Sequence, residues 1–268
     1  MNIMRAICLH DKGSIERLLR HNVYLHLYSI GDLDDFFWPY TIWHAAASDT
    51  EIRSVVLLYV GQSLPTLLAL SDRTEAMCGL LESVFHLLPQ RFYAHLSPGV
   101  ESVFRGTHTL EPHGEHLKMA LLHTSAAKSV DCRDTCNLGP DDLDEVVQFY
   151  ARCYPGNWFD PRMLETGQYF GMREDGCLVS VAGIHVYSRQ YKVAALGNIA
   201  TSPSHRNKGF GRRVTARTCQ SLLADVSHVG LNVRQTTTRR SHATRNWASS
   251  LSVLTASTWL RGNEAKGA

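Results

Sequence analysis

The sequence offers little that would indicate a metal or redox centre. Its seven cysteines are scattered, no CxxC pair occurs, and the closest pair, Cys132 and Cys136, has no second pair to complete a zinc set. The fourteen histidines include no HExxH motif, and the nearest spacing, His113-Gly-Glu-His116, is expected on a loop or strand edge. We therefore expect no metal site, and we expect unpaired thiols in a reducing compartment.

Long apolar runs and one-sided charge are also missing. Residues 1–9 contain no apolar signal-peptide core, and no segment approaches the roughly 20 apolar residues of a membrane span. The net charge is only +2, and the arginine-rich stretch 234–245 has no interleaved aromatic residues. We therefore expect a cytoplasmic protein with no membrane part and no nucleic-acid partner.

Apolar residues are plentiful, at 44% of 268 residues against 19% charged residues, which is enough for about two folded domains. Residues 1–125 are predicted to form an N-terminal α/β domain. Its predicted strands cover residues 41–47, 52–60, 66–70, 91–96 and 116–122, and its predicted helices cover 11–19 and 74–88. Residues 123–137 are polar and aperiodic, so we interpret them as a linker.

A second domain is predicted over residues 138–233. A helix should begin near Gly139, where a proline and two acids fit a first helical turn, and should end near Cys153. Two strands around Glu174-Asp-Gly predict a hairpin. A strand over 191–201, a helix over 209–226 and a strand over 229–233 complete the domain. The first domain also alternates strands and helices, and we interpret it as a hypothetical degenerate relative of the second.

The informative stretch runs from the strand ending at Thr201 to the helix beginning at Gly209. Arg206-x-x-Gly209-x-Gly211 opens this helix, with Lys208, Arg212 and Arg213 adding positive charge. A helix N-terminus offers unpaired N–H groups and partial positive charge, and glycines let the backbone approach phosphate oxygens closely. The stretch therefore suits a pyrophosphate, although a Gly-x-Gly turn can also serve tight packing alone.

Two common phosphate-binding motifs do not fit this stretch. The dinucleotide-binding fingerprint needs a third glycine, but residue 214 is valine. A Walker A loop needs Gly-Lys followed by Ser or Thr, which does not occur here. Neither a dinucleotide nor a nucleoside triphosphate is therefore the expected ligand.

The stretch resembles the cofactor motif of the GNAT acetyltransferase superfamily, Gln/Arg-x-x-Gly-x-Gly/Ala entered from a splayed strand. Arg206, Gly209 and Gly211 occupy its three defining positions, and the resemblance covers about residues 137–233. It implies a mixed central α/β sheet flanked by helices with a V-shaped opening between strands, preceded by a smaller α/β N-terminal domain. It further implies acetyl-CoA as co-substrate, with a small-molecule or peptide amine as acceptor.

The resemblance also implies a set of cofactor-binding residues. Backbone groups at the end of the strand would pair with the pantetheine arm, the N–H groups from 207 to 212 would hold the pyrophosphate, and a residue on the next strand would lie near the thioester. The set comprises Ile199, Ala200, Thr201, Arg206, Asn207, Lys208, Gly209, Phe210, Gly211, Arg212 and Asn232.

Direct attack of the amine on the thioester is implied, without a covalent enzyme intermediate. This reaction needs a base for the amine, a polarising N–H for the carbonyl and an acid for the thiolate. His185 is one catalytic candidate, although a core or edge histidine is the plainer interpretation. Asn198 is the other because it could orient a water, although an ordinary ladder residue is the alternative.

The family pattern breaks after Val233. Many members continue with Asn-x-x-Ala-x-x-x-Tyr-x-x-x-Gly-Phe, whose tyrosine often serves as the acid, whereas this chain continues from Arg234 with polar and basic residues. Codons compatible with the present residues, read from the last base of the Arg234 codon, give Ala-Asp-Asn-Asp-Ala-Ala-Ile-Thr-Cys-Tyr-Glu-Lys-Leu-Gly-Phe. We interpret residues 234–268 as an atypical, frame-shifted and poorly packed tail; a divergent native tail is the alternative.

Two functions remain open from the sequence. The first is an N-acetyltransferase that moves an acetyl group from acetyl-CoA to a primary amine. The second is a catalytically impaired CoA-binding or interaction protein, because the terminal helix and strands of the family look lost in this sequence. Turnover in a chain that binds CoA distinguishes them.

Overall fold

A computed structural model describes residues 4–234 and 253–263. Contacts divide the chain into two compact units: residues 1–118 together with 253–268, and residues 119–252. The strands are β1 (Arg5–Cys8), β2 (Thr41–Ala47), β3 (Ile52–Tyr59), β4 (Thr66–Ala69), β5 (Arg91–Leu96), β6 (His108–Ala120), β7 (Cys136–Leu138), β8 (Tyr169–Glu174), β9 (Cys177–Ser188), β10 (Val193–Thr201), β11 (His228–Arg234) and β12 (Val253–Gly262).

Six α-helices and several short 3-10 helices connect these strands in the described residues. The α-helices are α1 (Lys12–Leu19), α2 (Leu27–Gly31), α3 (Thr74–Val84), α4 (Thr124–Lys128), α5 (Leu143–Cys153) and α6 (Phe210–Asp225). The 3-10 helices are Arg20–Asn22, Trp38–Tyr40, Phe85–Leu87, Val100–Phe104, Pro140–Asp142, Pro161–Thr166 and Pro203–His205.

The first unit is a mixed sheet in the order β1-β2-β3-β4-β5-β12-β6. The strands from β1 to β4 pair antiparallel, β4 and β5 pair parallel, and β12 pairs antiparallel with both β5 and β6. Helix α3 connects the parallel pair, and Leu80 and Val84 of α3 pack on Phe92 and Leu260 in the core. The apolar spacing of α3 thus buries one face of this sheet.

The second unit repeats this arrangement. Its order β7-β8-β9-β10-β11 has three antiparallel pairs followed by one parallel pair, and α6 connects that parallel pair. Val214 of α6 packs on Met172, Val179 and Ala182 of the sheet. The mixed α/β sheet expected from the resemblance is therefore confirmed, and the matching order supports the hypothesis that the two units are related.

The hairpin between β8 and β9 follows the prediction. Asp175 and Gly176 form the turn with φ angles of 51° and 79°. Positive φ at both central residues is the type I′ pattern that joins two twisted strands. Asp and Gly tolerate this conformation, so the sequence signal and the backbone agree here.

The structure differs from the predicted domain plan in two places. Residues 123–137 were predicted as a linker, but they contain α4 and lie within the second unit. Residues 253–262 belong to the tail that was predicted to be poorly packed, but they form β12. Every residue of β12 has a register partner on β6, and most also have one on β5. The prediction for residues 235–252 lies outside the described residues, and independent folding of the domains stays a prediction.

Candidate active site

Strands β10 and β11 separate at one end of the second unit. Their parallel pairing runs from Val193 with His228 to Leu196 with Leu231 and then stops among the described residues. Strand β10 nevertheless continues to Thr201, still paired with β9, and β11 continues to Arg234. The two strands therefore open a gap between residues 197–201 and residues 232–234, as the resemblance implies.

A bulge in β10 lies beside this opening. The register with β9 slips between Gly197 and Ala200, and Asn198 adopts a positive φ of 52°, a conformation that asparagine tolerates better than most residues. Its side-chain amide donates to the Trp158 carbonyl at 3.1 Å and to the Tyr169 hydroxyl at 2.9 Å. Asn198 is thus a bulge residue and not the ordinary ladder residue considered above.

The bulge is also held through its own carbonyl group. The Tyr150 hydroxyl donates to the Asn198 carbonyl oxygen at 2.6 Å, and Asn198 is only 4% exposed. Both hydrogens of the Asn198 side-chain amide are used as well, in the bonds to Trp158 and Tyr169. A water-orienting role for its side-chain oxygen Oδ1 stays a prediction.

The turn from β10 to α6 exposes a run of backbone donors. It contains the 3-10 helix Pro203–His205, then Asn207 at φ 63° and Gly209 at φ 86°. Helix α6 has no side-chain cap and no acid in its first turn. Within the described part of the chain, the N–H groups of residues 207–212 make no hydrogen bond. Unpaired donors at a helix start form an anion-binding site.

Gly211 lies where α6 begins against the end of β10. A Cβ atom there would be 3.0 Å from the Thr201 hydroxyl oxygen, which is tighter than ordinary contact. The Thr215 hydroxyl donates to the Gly211 carbonyl at 2.6 Å and so fixes the next turn of the helix. Glycine at this position lets the helix start and the strand end approach each other.

The basic residues of the turn have different environments. Arg206 is exposed, and its Nε donates to the Thr201 carbonyl at 3.4 Å. Lys208 lies 3.8 Å from Glu174, and Arg212 is exposed. Arg213 forms an ion pair with Asp134. Among the described residues, Lys208 and Arg213 therefore each have a carboxylate partner, whereas Arg206 and Arg212 form no ion pair.

A contact that the sequence analysis missed holds the turn in place. His205 Nε2 lies 2.7 Å from the Glu174 carboxylate, and Ser204 Oγ lies 2.8 Å from His205 Nδ1. The His205 ring also stacks on Phe210 with 6.1 Å between centroids. Glu174 ends β8, so this contact fastens the turn to the β8–β9 hairpin. Sequence patterns gave no signal for a pair 31 residues apart.

His185 lies on β9 against the bulged strand. Its ring occupies the space beside Gly197, where a Cβ atom would come within 2.1 Å of it. Burial lowers the pKa of His185 to about 4, so the ring is neutral near pH 7. The structure thus brings both predicted catalytic residues, His185 and Asn198, to the same part of β9 and β10.

Titration of His185 should affect stability in a defined pH range. Its pKa falls from the usual 6.5 to about 4, so the folded chain holds this proton less tightly than the unfolded chain. Stability from this group is full above pH 6.5 and is lost as the pH falls toward 4, by about 3 kcal/mol at most. We expect His185→Gln to flatten the pH dependence of urea unfolding in this window.

The control for this measurement is His86→Gln, because His86 is exposed. It should leave the slope of the parent unchanged. An unaltered slope in His185→Gln would show that the ring is not desolvated in the folded chain.

Asn232 follows the last β10–β11 pair. Its Oδ1 atom is buried and accepts no hydrogen bond among the described residues. A buried acceptor without a donor costs free energy, so a donor from a bound molecule would stabilise it. Asn232 thus lies where the opening begins, on the strand that the resemblance assigns to the thioester region.

The first unit has no comparable turn. Residues 70–73 connect β4 to α3 without a glycine, and Asp72 and Glu75 place acids at the helix start. The Ser97 N–H donates to the Ala69 carbonyl at 3.2 Å, so the parallel strands β4 and β5 stay hydrogen-bonded up to the last residue of β4 and do not separate there. Acids at a helix start disfavour an anion there, so the start of α3 is not a second phosphate site.

The described residues contain no group of three or more His, Cys, Asp or Glu side chains placed to hold a metal. None of the helices in residues 4–234 and 253–263 is long and apolar enough to cross a membrane.

The helix start with unpaired donors and the opened mixed sheet lie within a segment that matches a known protein family. Residues 141–244 match the acetyltransferase (GNAT) family, although residues 235–244 of this match lie outside the described part. The chain therefore contains a GNAT acetyltransferase domain, which supports acyltransferase activity. No curated protein matches the chain in sequence.

Solved structures share the fold across most of the chain. A GNAT-family protein from Novosphingobium aromaticivorans is 17% identical with a TM-score of 0.57, covering 78% of this chain and 88% of its own. A Drosophila protein is 13% identical with a TM-score of 0.68, covering 97% and 99%. A tandem GNAT protein from the clavulanic acid biosynthesis pathway is 14% identical with a TM-score of 0.57, covering 99% and 100%. At these identities the likeness concerns the fold.

Proposed function

We propose that the second unit binds acetyl-CoA in the opening between β10 and β11 and transfers its acetyl group to a primary amine by direct attack. The observation that supports this proposal is the run of unpaired backbone donors at residues 207–212, directly after the strand that borders the opening. The acceptor is a small molecule or a peptide.

The turn fits the pyrophosphate. Six successive N–H groups face no partner among the described residues, and α6 adds the partial positive charge of its N-terminus. Arg206, Lys208 and Arg212 add full charges near these donors. No side chain from Gly209 or Gly211 stands between the backbone and a phosphate oxygen. An anion with several oxygens would therefore satisfy donors that are otherwise left to water.

The strand ends fit an extended amide-containing arm. Asn198 and Ile199 fall in the bulge, so neither has a register partner on β9 or β11 within the described residues. Ala200 and Thr201 pair with β9 but have no register partner among the described residues of β11. The edge of β10 that faces the opening can therefore pair with the amides of pantetheine through backbone groups of Ile199, Ala200 and Thr201, as an added strand pairs with a sheet edge. The unpaired Oδ1 of Asn232 can accept one further N–H from this arm.

The reaction forms a C–N bond to the acceptor and breaks the C–S bond of the thioester. The amine nitrogen attacks the thioester carbonyl carbon, the C–S bond breaks, the amine loses a proton and the thiolate gains one. His185 is neutral near pH 7 and can accept a hydrogen bond from the attacking amine, although its lowered pKa makes it a weak base. Asn198 keeps the bulge in place, and the N–H groups of the bulge are candidates for polarising the carbonyl.

A second candidate function follows from the missing family tyrosine. Without an acid for the thiolate, the chain would bind acetyl-CoA and transfer the acetyl group slowly or not at all. Calorimetry with acetyl-CoA, followed by detection of free thiol in the presence of a panel of small and peptide amines, tests both functions. Binding with turnover supports the transferase, binding without turnover supports the impaired protein, and no binding contradicts both.

Arg206 gives a graded test of the phosphate site. We expect Arg206→Ala to weaken CoA binding several-fold at low salt and less at high salt, because an exposed charge acts through screened attraction. The matched control is Arg213→Ala, whose guanidinium is already paired with Asp134 and should matter less. Equal losses in both variants, or affinity of the parent that does not respond to salt, would argue against a phosphate ligand at this turn.

A further inference from the structure

The first unit carries a cavity along strands β5, β12 and β6. Strands β5, β12 and β6 line it with Arg91, Glu111, Trp259, Leu260 and Arg261, and its volume is about 240 Å³. Arg91 lies opposite Arg261 across the β5–β12 pair, and Glu111 lies opposite Trp259 across the β12–β6 pair. Residues two apart on a strand share a face, so the two arginines, the indole and the carboxylate meet on one surface.

The two arginines form an unbalanced pair of charges. Both are exposed, and neither forms an ion pair with any residue in 4–234 or 253–263, Glu111 included. Like charges directly opposite each other on neighbouring strands destabilise a sheet. An anion between them would remove this repulsion, and the planar guanidinium fork matches the two oxygens of a carboxylate.

The floor of the cavity is aromatic and held in position. Trp259 packs on Tyr93 with 4.6 Å between ring centroids and on His113 with 5.8 Å. The Tyr93 hydroxyl lies 2.9 Å from His113 Nδ1, which fixes both rings against the indole. Trp259 itself is only half-buried, so it presents a flat apolar surface beside the arginines. A planar ring stacks well on such a surface.

We propose that this cavity is a binding site for a small aromatic carboxylate. Its carboxylate lies between Arg91 and Arg261, and its ring lies on Trp259. The volume is below the roughly 300–1,000 Å³ of pockets for drug-sized ligands, so the ligand is a single-ring molecule. This site does not depend on the cofactor turn, which is a feature of the second unit.

Benzoate is the probe, and the full chain is titrated with it by calorimetry. We expect saturable binding of benzoate that weakens at least tenfold in Arg91→Gln and in Arg261→Gln. The matched control is Arg105→Gln, since Arg105 is an exposed arginine of the same unit with its guanidinium 3.6 Å from Glu101. It should bind benzoate as the parent does. Trp259→Leu should weaken the binding of benzoate without abolishing it, because the two arginines still attract the carboxylate.

Melting temperature without ligand provides a separate readout. Arg91→Gln should melt at a higher temperature than the parent at low salt, and the difference should vanish at high salt as the repulsion is screened.

Two analogues of benzoate test the two halves of the ligand. Benzamide keeps the ring but lacks the carboxylate, and acetate keeps the carboxylate but lacks the ring. Equal binding of benzamide, equally strong binding of acetate, or no saturable binding of benzoate up to its solubility limit would overturn the proposal.

Discussion

Gly209→Glu is expected to abolish measurable binding of acetyl-CoA to the second unit. Gly209 has φ 86°, so a residue with a Cβ is strained there, and the new carboxylate would lie among the donors at the start of α6. It would compete for those donors and repel the pyrophosphate. We expect a loss of at least about a hundredfold in affinity, which is about 2.7 kcal/mol. Calorimetry with CoA measures it.

The control must separate backbone strain from loss of the site. Gly106 in the first unit also has φ 86° and, like Gly209, has nothing within 4 Å of where a Cβ would lie. Gly106→Glu therefore imposes the same conformational cost and the same charge at a distant position in the sequence. It should bind CoA as the parent does. If Gly209→Glu also binds CoA normally, the pyrophosphate does not lie at this turn.

Gly211→Glu should act by a related route. A Cβ at this position meets the Thr201 hydroxyl at 3.0 Å, so the start of α6 must move away from β10. The loss of CoA affinity should be accompanied by some loss of stability, because Thr201 and Thr215 are fixed around this contact. Gly211→Ala should show the steric part of the effect without the added charge.

Restoring the reading frame after Val233 is expected to raise turnover far more than CoA affinity. The shifted frame supplies an Asn, a Tyr and a Gly-Phe at the spacing of the family, and the tyrosine would protonate the departing thiolate. General acid catalysis contributes about 10²–10⁴-fold to a rate. The pyrophosphate turn lies before the break in the sequence, so the affinity for CoA should change little.

The first step of this test is the nucleotide sequence of the gene. Strand β12 is formed by residues of the present frame and pairs with β5 and β6. We therefore expect the offset to be confined to the segment between the Arg234 and Val253 codons, with Ala-Asp-Asn and a later Tyr encoded in the neighbouring frame. If that frame does not encode them, the hypothesis fails.

The restored chain can also be assayed. Its added Ile, Tyr, Leu and Phe would each contribute roughly 1.5–3 kcal/mol if buried, so it should be more stable than the present chain. Replacing the restored tyrosine with phenylalanine is the matched control, because it removes only the hydroxyl group. A restored chain with unchanged turnover, or a phenylalanine variant as active as the restored chain, would show that this tyrosine is not the acid.

Local signals in the sequence predicted the second unit well. The Asp175-Gly176 turn, the apolar strand ending at Thr201 and the glycine-opened α6 each have a signal within a few consecutive residues. The turn motif predicted a helix start with free donors because glycine and positive charge act locally. These are the conditions under which propensity and spacing suffice.

Features that depend on distant residues could not be predicted. Strand β6 begins at His108, well before the predicted residue 116, although Pro112 and Gly114 disfavour a strand there. It forms because β12, far along the chain, pairs with it. The bulge at Asn198 depends likewise on Tyr150, Trp158 and Tyr169, and the fastening of the turn depends on Glu174. None of these pairs has a local signature.

The position of β12 bears on the order in which a ribosome can complete this protein. Strands β5 and β6 leave the exit tunnel early, yet the strand between them follows the second unit in the sequence. Until β12 has been made, β5 and β6 each lack a partner on the edge that β12 later fills, and Phe92 lacks its neighbour Leu260. The nascent first unit must therefore remain partly open while the second unit is translated.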